Sequence, residues 1–402
     1  MSSSQNYLEV DQFLKQVTGK ITFLEARPGV AQELRAHVED HAAMAMEAGQ
    51  SEEAAIHQAL RQLGEPEVLG KKLDEIHRPR LDFFVVGIVA FLCLSGLYAL
   101  RESGWLALQS LWFLLGLGGA GAVYSLSGQR LQNVLIALYP AAILGLWTSQ
   151  IFGETYKDQN YLSIFGLKIN MVESAAIMMA LSFSSGLQKL RAIVGKNSFY
   201  KPLAFFVTLA PVFGFAMSAN FTSAALILVG GLVAMYSLAR SKAESALAVI
   251  AALIGFGLLG MGARGTFDGS VDSVSALAEA GHTDFILASL VTQSAAFAAL
   301  VSVFLTMLVI YLVARSQVIK ASSLRSTCLT TAAILGLETT LGILTNYGVS
   351  PLPRTGINVP FLSYGGSSMV LHMVLIGFAL SCLKRKMITY DQTEIFSTLT
   401  KD

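Results

Sequence analysis

The stretch AFAALVSVFLTMLVIYLVA, Ala296 to Ala314, decides the solvent in which this chain folds. It carries no charged residue and exceeds the roughly 18 apolar residues that read as a bilayer span. With no water at hand, every backbone amide must pair inside its own segment, so the stretch is a helix. Leu81 to Leu100 and Trp105 to Leu126 are runs of the same kind. The composition agrees: of 402 residues 53% are hydrophobic and 14% charged, with a mean hydropathy of +0.58. A soluble domain carries about 25% charged residues. A formal net charge of +1 leaves no basic domain for a nucleic acid partner.

Beyond Arg80 the ~20-residue criterion gives about ten spans. They fall near 82–100, 105–126, 131–152, 170–187, 200–217, 219–239, 243–262, 285–314, 326–346 and 366–383. The eighth is long enough to begin outside the bilayer. Basic residues concentrate in alternate loops, at Arg130, at Lys189 to Lys201, at Arg240 and Lys242, at Arg315 to Arg325 and at Lys384-Arg385-Lys386. By the positive-inside rule those loops face the cytoplasm, so both termini are expected inside and the loops 263–284 and 347–365 outside. The N-terminus is polar with charges of both signs, so no cleavable signal peptide is expected and insertion would use the first span. Cys93, Cys328 and Cys382 sit far apart in apolar segments and read as small buried residues.

Residues 1–80 hold 13 of the 27 acidic side chains and carry apolar residues at helical spacing over Ala31 to Ala48 and Glu52 to Leu63. Pro28 stands near one helix start and Gly64-Glu65-Pro66 breaks the chain before another. The runs from Glu33 to Asp40, Gly49 to Ala54 and Leu60 to Pro66 resemble the small helical domain that prefixes many bacterial permeases and membrane sensors. The resemblance implies a cytoplasmic docking or regulatory module with an unidentified partner. His37, His41 and His57 lie here without HExxH spacing, as solvated or capping histidines. The expected organisation is an all-α polytopic membrane protein: a prefix domain at 1–80, a transmembrane domain at 81–386 and a cytoplasmic tail at 387–402.

Charges in or beside spans are costly and need an explanation. Glu173, Glu338, Arg264 and Asp284 are such residues. Glu173 and Glu338 read equally well as packing residues satisfied by a neighbouring helix. Asp284 follows a glycine-rich exit, Gly260-Met261-Gly262-Ala263-Arg264-Gly265, and an acidic stretch with Asp268, Asp272 and Glu279. It closes Gly281-His282-Thr283-Asp284-Phe285 where the next apolar run starts, a place that by position alone favours an N-cap over a catalytic role. The second outer loop, Tyr347 to Ser368, holds three prolines and reads as a rigid re-entrant turn lining a cavity. Its Arg354 suits a phosphate or carboxylate, and Ser363, Tyr364 and Ser367 add hydrogen-bonding groups.

The run Pro351-Leu352-Pro353-Arg354-Thr355-Gly356-Ile357-Asn358-Val359-Pro360-Phe361-Leu362-Ser363-Tyr364-Gly365-Gly366-Ser367-Ser368 resembles the signature of the SEDS family (shape, elongation, division and sporulation), which includes FtsW, RodA and SpoVE. His282-Thr283-Asp284-Phe285 is similar to that family's second signature. The resemblance covers roughly residues 82–385. It implies a peptidoglycan glycosyltransferase of the bacterial cell membrane that polymerises lipid II, an undecaprenyl-linked disaccharide-peptide, on the outer face. It also implies Asp284 as the catalytic residue and a class B penicillin-binding protein transpeptidase as partner. His282, Thr283, Arg354, Ser363, Tyr364, Gly365, Gly366, Ser367 and Glu173 become candidate substrate contacts, and a divalent cation, Mg or Mn, a candidate cofactor.

The chain departs from the family at several places. A Gln-Pro-Ser-Glu run followed by lysine is usual at the fourth span; here Asn170-Met171-Val172-Glu173-Ser174-Ala175-Ala176 keeps only the glutamate, and Ala176 stands at the lysine position. A Pro-Asp-Leu-Gly-Thr run becomes Ala219-Asn220-Phe221-Thr222-Ser223. Proline-glutamate before His282 becomes Ala280-Gly281, and paired acidic residues after Phe285 become Thr292-Gln293. Glu173 therefore lacks its expected counter-ion. Alongside the glycosyltransferase stand two other readings: a scaffold or regulator that binds lipid-linked precursor without turnover, and a lipid flippase.

Overall fold

The computed structural model describes residues 2–101, 104–156, 159–164, 167–194, 200–217, 220–238, 285–347 and 358–386. The expected seventh span, 243–262, lies outside the described residues, as do His282, Thr283, Asp284, Arg264 and Arg354. The chain divides into two compact units, Met1–Leu81 with Lys384–Asp402, and Asp82–Leu383.

The first unit is helical: α1 (Ser2–Gly19), α2 (Arg27–Glu47), α3 (Glu52–Leu63) and α4 (Pro66–His77). Proline occupies the first turn of α2 and of α4, where a missing N–H costs nothing. Ser51 caps α3 by accepting from Ala54 N, and Gly64 ends it at φ +81, a conformation glycine adopts freely. Val10, Leu14, Val38, Ala42, Ala55, Ile56, Ala59 and Leu60 form the core among α1, α2 and α3. The Asp74 carboxylate accepts from Thr22 N at 2.6 Å and from the Thr22 hydroxyl, tying α4 to the α1–α2 connection. Arg385 belongs to this unit, and its buried guanidinium donates to both carboxylate oxygens of Glu25, at 2.6 Å and 2.9 Å.

The second unit is a membrane domain. In chain order it holds α5 (Phe83–Ala99), α6 (Leu106–Ser125), α7 (Gly128–Phe152), a small antiparallel sheet of β1 (Glu154–Tyr156), β2 (Gln159–Ile164) and β3 (Leu167–Asn170), then α8 (Met171–Val194), α9 (Tyr200–Met217) and α10 (Phe221–Leu238). After the undescribed segment come α11 (Ile286–Gln293), α12 (Ala295–Ser316), α13 (Ser322–Asn346) and α14 (Gly366–Leu383). Of these, α6, α7, α12, α13 and α14 are long and apolar enough to cross a membrane, and α5, α9 and α10 contain shorter apolar stretches. The chain is a multi-pass membrane protein.

Two elements depart from the expected pattern. The eighth span is broken: Ser294 is extended, at φ −162 and ψ 104, and its hydroxyl caps α12 by accepting from Phe297 N at 3.3 Å. The segment between α7 and α8, left between the expected spans 131–152 and 170–187, is a meander with Glu154↔Tyr161 and Tyr161↔Asn170 in register.

Helices α8, α13 and α14 form the interior, with burial along most of their lengths, whereas α5, α6 and α12 leave large apolar side chains such as Leu94, Leu114 and Ile310 exposed, as lipid-facing helices do. Lipid is as apolar as leucine, so helices associate through close approach of small residues and buried hydrogen bonds. A Cβ on Gly377 of α14 would stand 2.7 Å from the Ala120 carbonyl oxygen of α6, so that contact requires glycine. Hydroxyl and amide pairs bind the interior together: Thr327 donates to or accepts from Ser184 at 3.0 Å, and the Gln132 amide donates to Ser323 at 3.1 Å.

Candidate functional site

The site is built where the segment before α14 meets the start of α8 and the last turns of α13. Residues 358–365 make a tight, largely buried turn. Val359 N donates to the Ser363 hydroxyl at 2.8 Å, and Leu362 N and Ser363 N both donate to the Val359 carbonyl at 3.2 Å. Phe361, at φ +65, is the positive-φ residue other than glycine among the described residues. Left-handed backbone costs a side-chain-bearing residue about 1–2 kcal/mol. Burial of the Phe361 ring against His372, with centroids 5.6 Å apart, offsets that cost. Gly96 of α5 leaves the room, since a Cβ there would meet the Phe361 carbonyl oxygen at 2.9 Å.

Several candidate residues serve this architecture. The Ser363 hydroxyl closes the turn, and its carbonyl accepts from Gln109 of α6 at 3.4 Å. Tyr364 packs on Trp105 with centroids 5.0 Å apart and remains half-buried. A Cβ on Gly366 would collide with the Trp112 ring, so that position must be glycine. Ser367 accepts from Asn170 N at 3.2 Å and joins the end of β3 to the start of α14. Gly365 accepts from the Ser368 hydroxyl through its carbonyl at 3.0 Å.

Asn358, the first described residue of the turn, donates its side-chain amide to both oxygens of Glu173, at 2.9 Å and 3.2 Å. Asn170 caps the start of α8 by accepting from Val172 N and Glu173 N, each at 3.2 Å, and its amide approaches Glu173 at 3.4 Å. Glu173 is therefore fixed by two asparagines while staying half-buried. Ala176, one turn on, is fully buried and apolar.

Near Glu173 the structure brings together two residues that the sequence reading did not pair. His372 of α14 and Glu338 of α13 are buried, with Nε2 and Oε2 2.8 Å apart. Donor atoms of Glu173, Glu338 and His372 lie within 4.8 Å of one another. The other oxygen of Glu338, Oε1, is buried and has no hydrogen-bond partner among the described residues. A lone histidine in an apolar helix gives no local signal, so only the packing of α13 on α14 reveals the pair.

The stretch with His282, Thr283 and Asp284 stops at the edge of the described residues, but the helix that follows it is well anchored. Phe285 sits at the N-cap position of α11 without a side-chain cap. The first amides of a helix lack internal partners. Asn346, fully buried at the end of α13, supplies one by accepting from Ala288 N at 3.0 Å while donating to the Gly342 carbonyl at 2.8 Å.

Residues 239–387 match the family of cell cycle proteins represented by FtsW, RodA and SpoVE. That segment of the membrane unit is similar to the SEDS family. A "probable peptidoglycan glycosyltransferase FtsW" of Halothiobacillus neapolitanus is 31% identical over 134 residues, which is 32% of this chain and 31% of that protein. One of the same name from Nitrosomonas europaea is 34% identical over 138 residues, 32% of this chain and 33% of the relative. The chain thus spans about a third of the length of the curated relatives it matches. Over a wider span the fold is shared with the rod shape determining protein RodA of Thermus thermophilus, at TM-score 0.58 and 21% identity, covering 77% of this chain and 98% of that one. A chain from the structure described as "Structural coordination of polymerization and crosslinking by a peptidoglycan synthase complex" superposes at TM-score 0.61 and 19% identity, covering 76% and 98%.

Proposed function

We propose that this chain is a peptidoglycan glycosyltransferase that polymerises lipid II at the outer face of the bacterial cell membrane. The observation that carries the reading is the anchoring of the signature turn, through Asn358, on Glu173. The matched segment 239–387 also contains His282-Thr283-Asp284 and Arg354. The concentration of basic residues in alternate loops supports a cytoplasmic side for both termini. A sugar hydroxyl of one lipid-linked disaccharide attacks the anomeric carbon of another, and polyprenyl pyrophosphate leaves. Asp284 takes the hydroxyl proton as general base. Arg354 offsets charge growing on the pyrophosphate. Apolar grooves between the spans hold the lipid tails, and a class B penicillin-binding protein uses the glycan product for crosslinking.

The test is a gel assay for glycan strands with the purified chain and lipid II; a ladder of polymer is expected, and its absence with every candidate transpeptidase partner added contradicts the reading. A second reading, a scaffold that binds lipid-linked precursor without turnover, is favoured by one observation: the lysine position is Ala176, packed apolar and fully buried. It predicts lipid II binding with no polymer.

A further inference from the structure

We propose that Glu173, Glu338 and His372 form a binding site for one divalent metal ion of borderline hardness, Zn2+ or Mn2+, within the membrane unit. Three helices each contribute one donor, Glu173 from the first turn of α8, Glu338 from α13 and His372 from α14. Their ligand atoms all lie within 4.8 Å of one another. Ligand bonds of about 2.0–2.2 Å place the donors around one such ion roughly 3–4.4 Å apart, so small rotamer adjustments close the cluster on a metal.

A second observation points to a ligand. Buried polar atoms are nearly always satisfied, yet among the described residues Glu338 Oε1 has no hydrogen-bond partner, although the residue is 2% exposed. A metal-bound carboxylate would resolve that deficit. An outer shell that orients a ligand is also present: the side-chain amides of Asn358 and Asn170 approach the Glu173 carboxylate. Half-burial of Glu173 leaves a route for the ion and for water ligands. One imidazole among two carboxylates disfavours the hard ions Mg2+ and Ca2+, which prefer oxygen alone.

The site concerns binding and does not depend on the polymerase reading. The test uses the full-length, tag-free protein in nanodiscs, stripped with chelator and titrated with Zn2+ or Mn2+ under equilibrium dialysis. His37 and His41, with ring centroids 4.4 Å apart on α2, are a competing pair, so the titration is run with H37Q and H41Q in place. One ion per chain is expected, bound at least tenfold more tightly than Mg2+. His372→Gln and Glu338→Gln should each weaken it at least tenfold. In wild type, pulsed electron paramagnetic resonance of bound Mn2+ should show coupling to one imidazole nitrogen, a readout that needs no variant to fold. Absence of binding, absence of that nitrogen coupling, or affinity unchanged in both folded variants overturns the proposal.

Discussion

His372 Nε2 stands 2.8 Å from Glu338 Oε2, and both side chains are withdrawn from solvent where α14 crosses α13. A buried polar pair stabilises only while both members are present, because either one alone keeps its desolvation cost without its partner. His372→Leu or Glu338→Leu alone should therefore destabilise the membrane unit by about 3–5 kcal/mol. The double substitution should be milder than the sum of the two. Thermal unfolding of all three variants in detergent, read as a double-mutant cycle, checks this; additive losses contradict it.

The approach of α14 to α6 depends on a backbone contact that no side-chain rotation can relieve. Gly377→Val would press its Cβ on the Ala120 carbonyl oxygen, 2.7 Å away. Overpacking of this kind costs about 1–3 kcal/mol. Gly118, which has open space at its Cβ, provides the control: Gly118→Ala should leave the midpoint of unfolding in place.

Asn346 joins α13 to the beginning of α11 and thereby to the chain leading from Asp284. Asn346→Leu leaves Ala288 N buried without its acceptor, a loss of about 1–3 kcal/mol. Under the proposed mechanism, polymerisation should fall more than lipid II binding does. Binding and turnover measured on the same preparation separate the two; equal losses contradict the positioning role.

In the first unit, hydrogen bonds from the Thr22 side chain and backbone hold the Asp74 carboxyl below its ordinary value of 3.8. A carboxyl depressed in the folded state stabilises above its unfolded value and loses that contribution as pH falls through the folded value. The carboxylate is exposed, so the effect is about 0.5–1 kcal/mol. Calorimetry of the full chain between pH 6 and pH 3 should show the first unit's transition falling more steeply in wild type than in Asp74→Asn. Parallel slopes contradict the assignment.

Much of this architecture was legible in the sequence because lipid imposes a length and a composition on each span. The helices at Leu106–Ser125 and Gly366–Leu383 lie within a residue or so of the expected spans for that reason. The break at Ser294 was not read. It involves neither proline nor glycine, and its one local signal is a serine three residues before Phe297, the ordinary spacing of an N-cap. The signature turn was legible as a rigid, non-helical segment, but not that Ser363 spends its hydroxyl closing the turn. The Glu173 site was legible as a carboxylate missing its lysine. Its company, Glu338 and His372, comes from helices distant in sequence, and only their packing brings the three together.

The central claim, that the chain polymerises lipid II with Asp284 as base, meets its most direct test in the rate of glycan-strand formation by wild type and by Asp284→Asn at matched lipid II binding. The account predicts polymer from wild type and at least a hundredfold loss in the variant, the scale on which general-base groups act. Polymer formed at equal rates by both would contradict it.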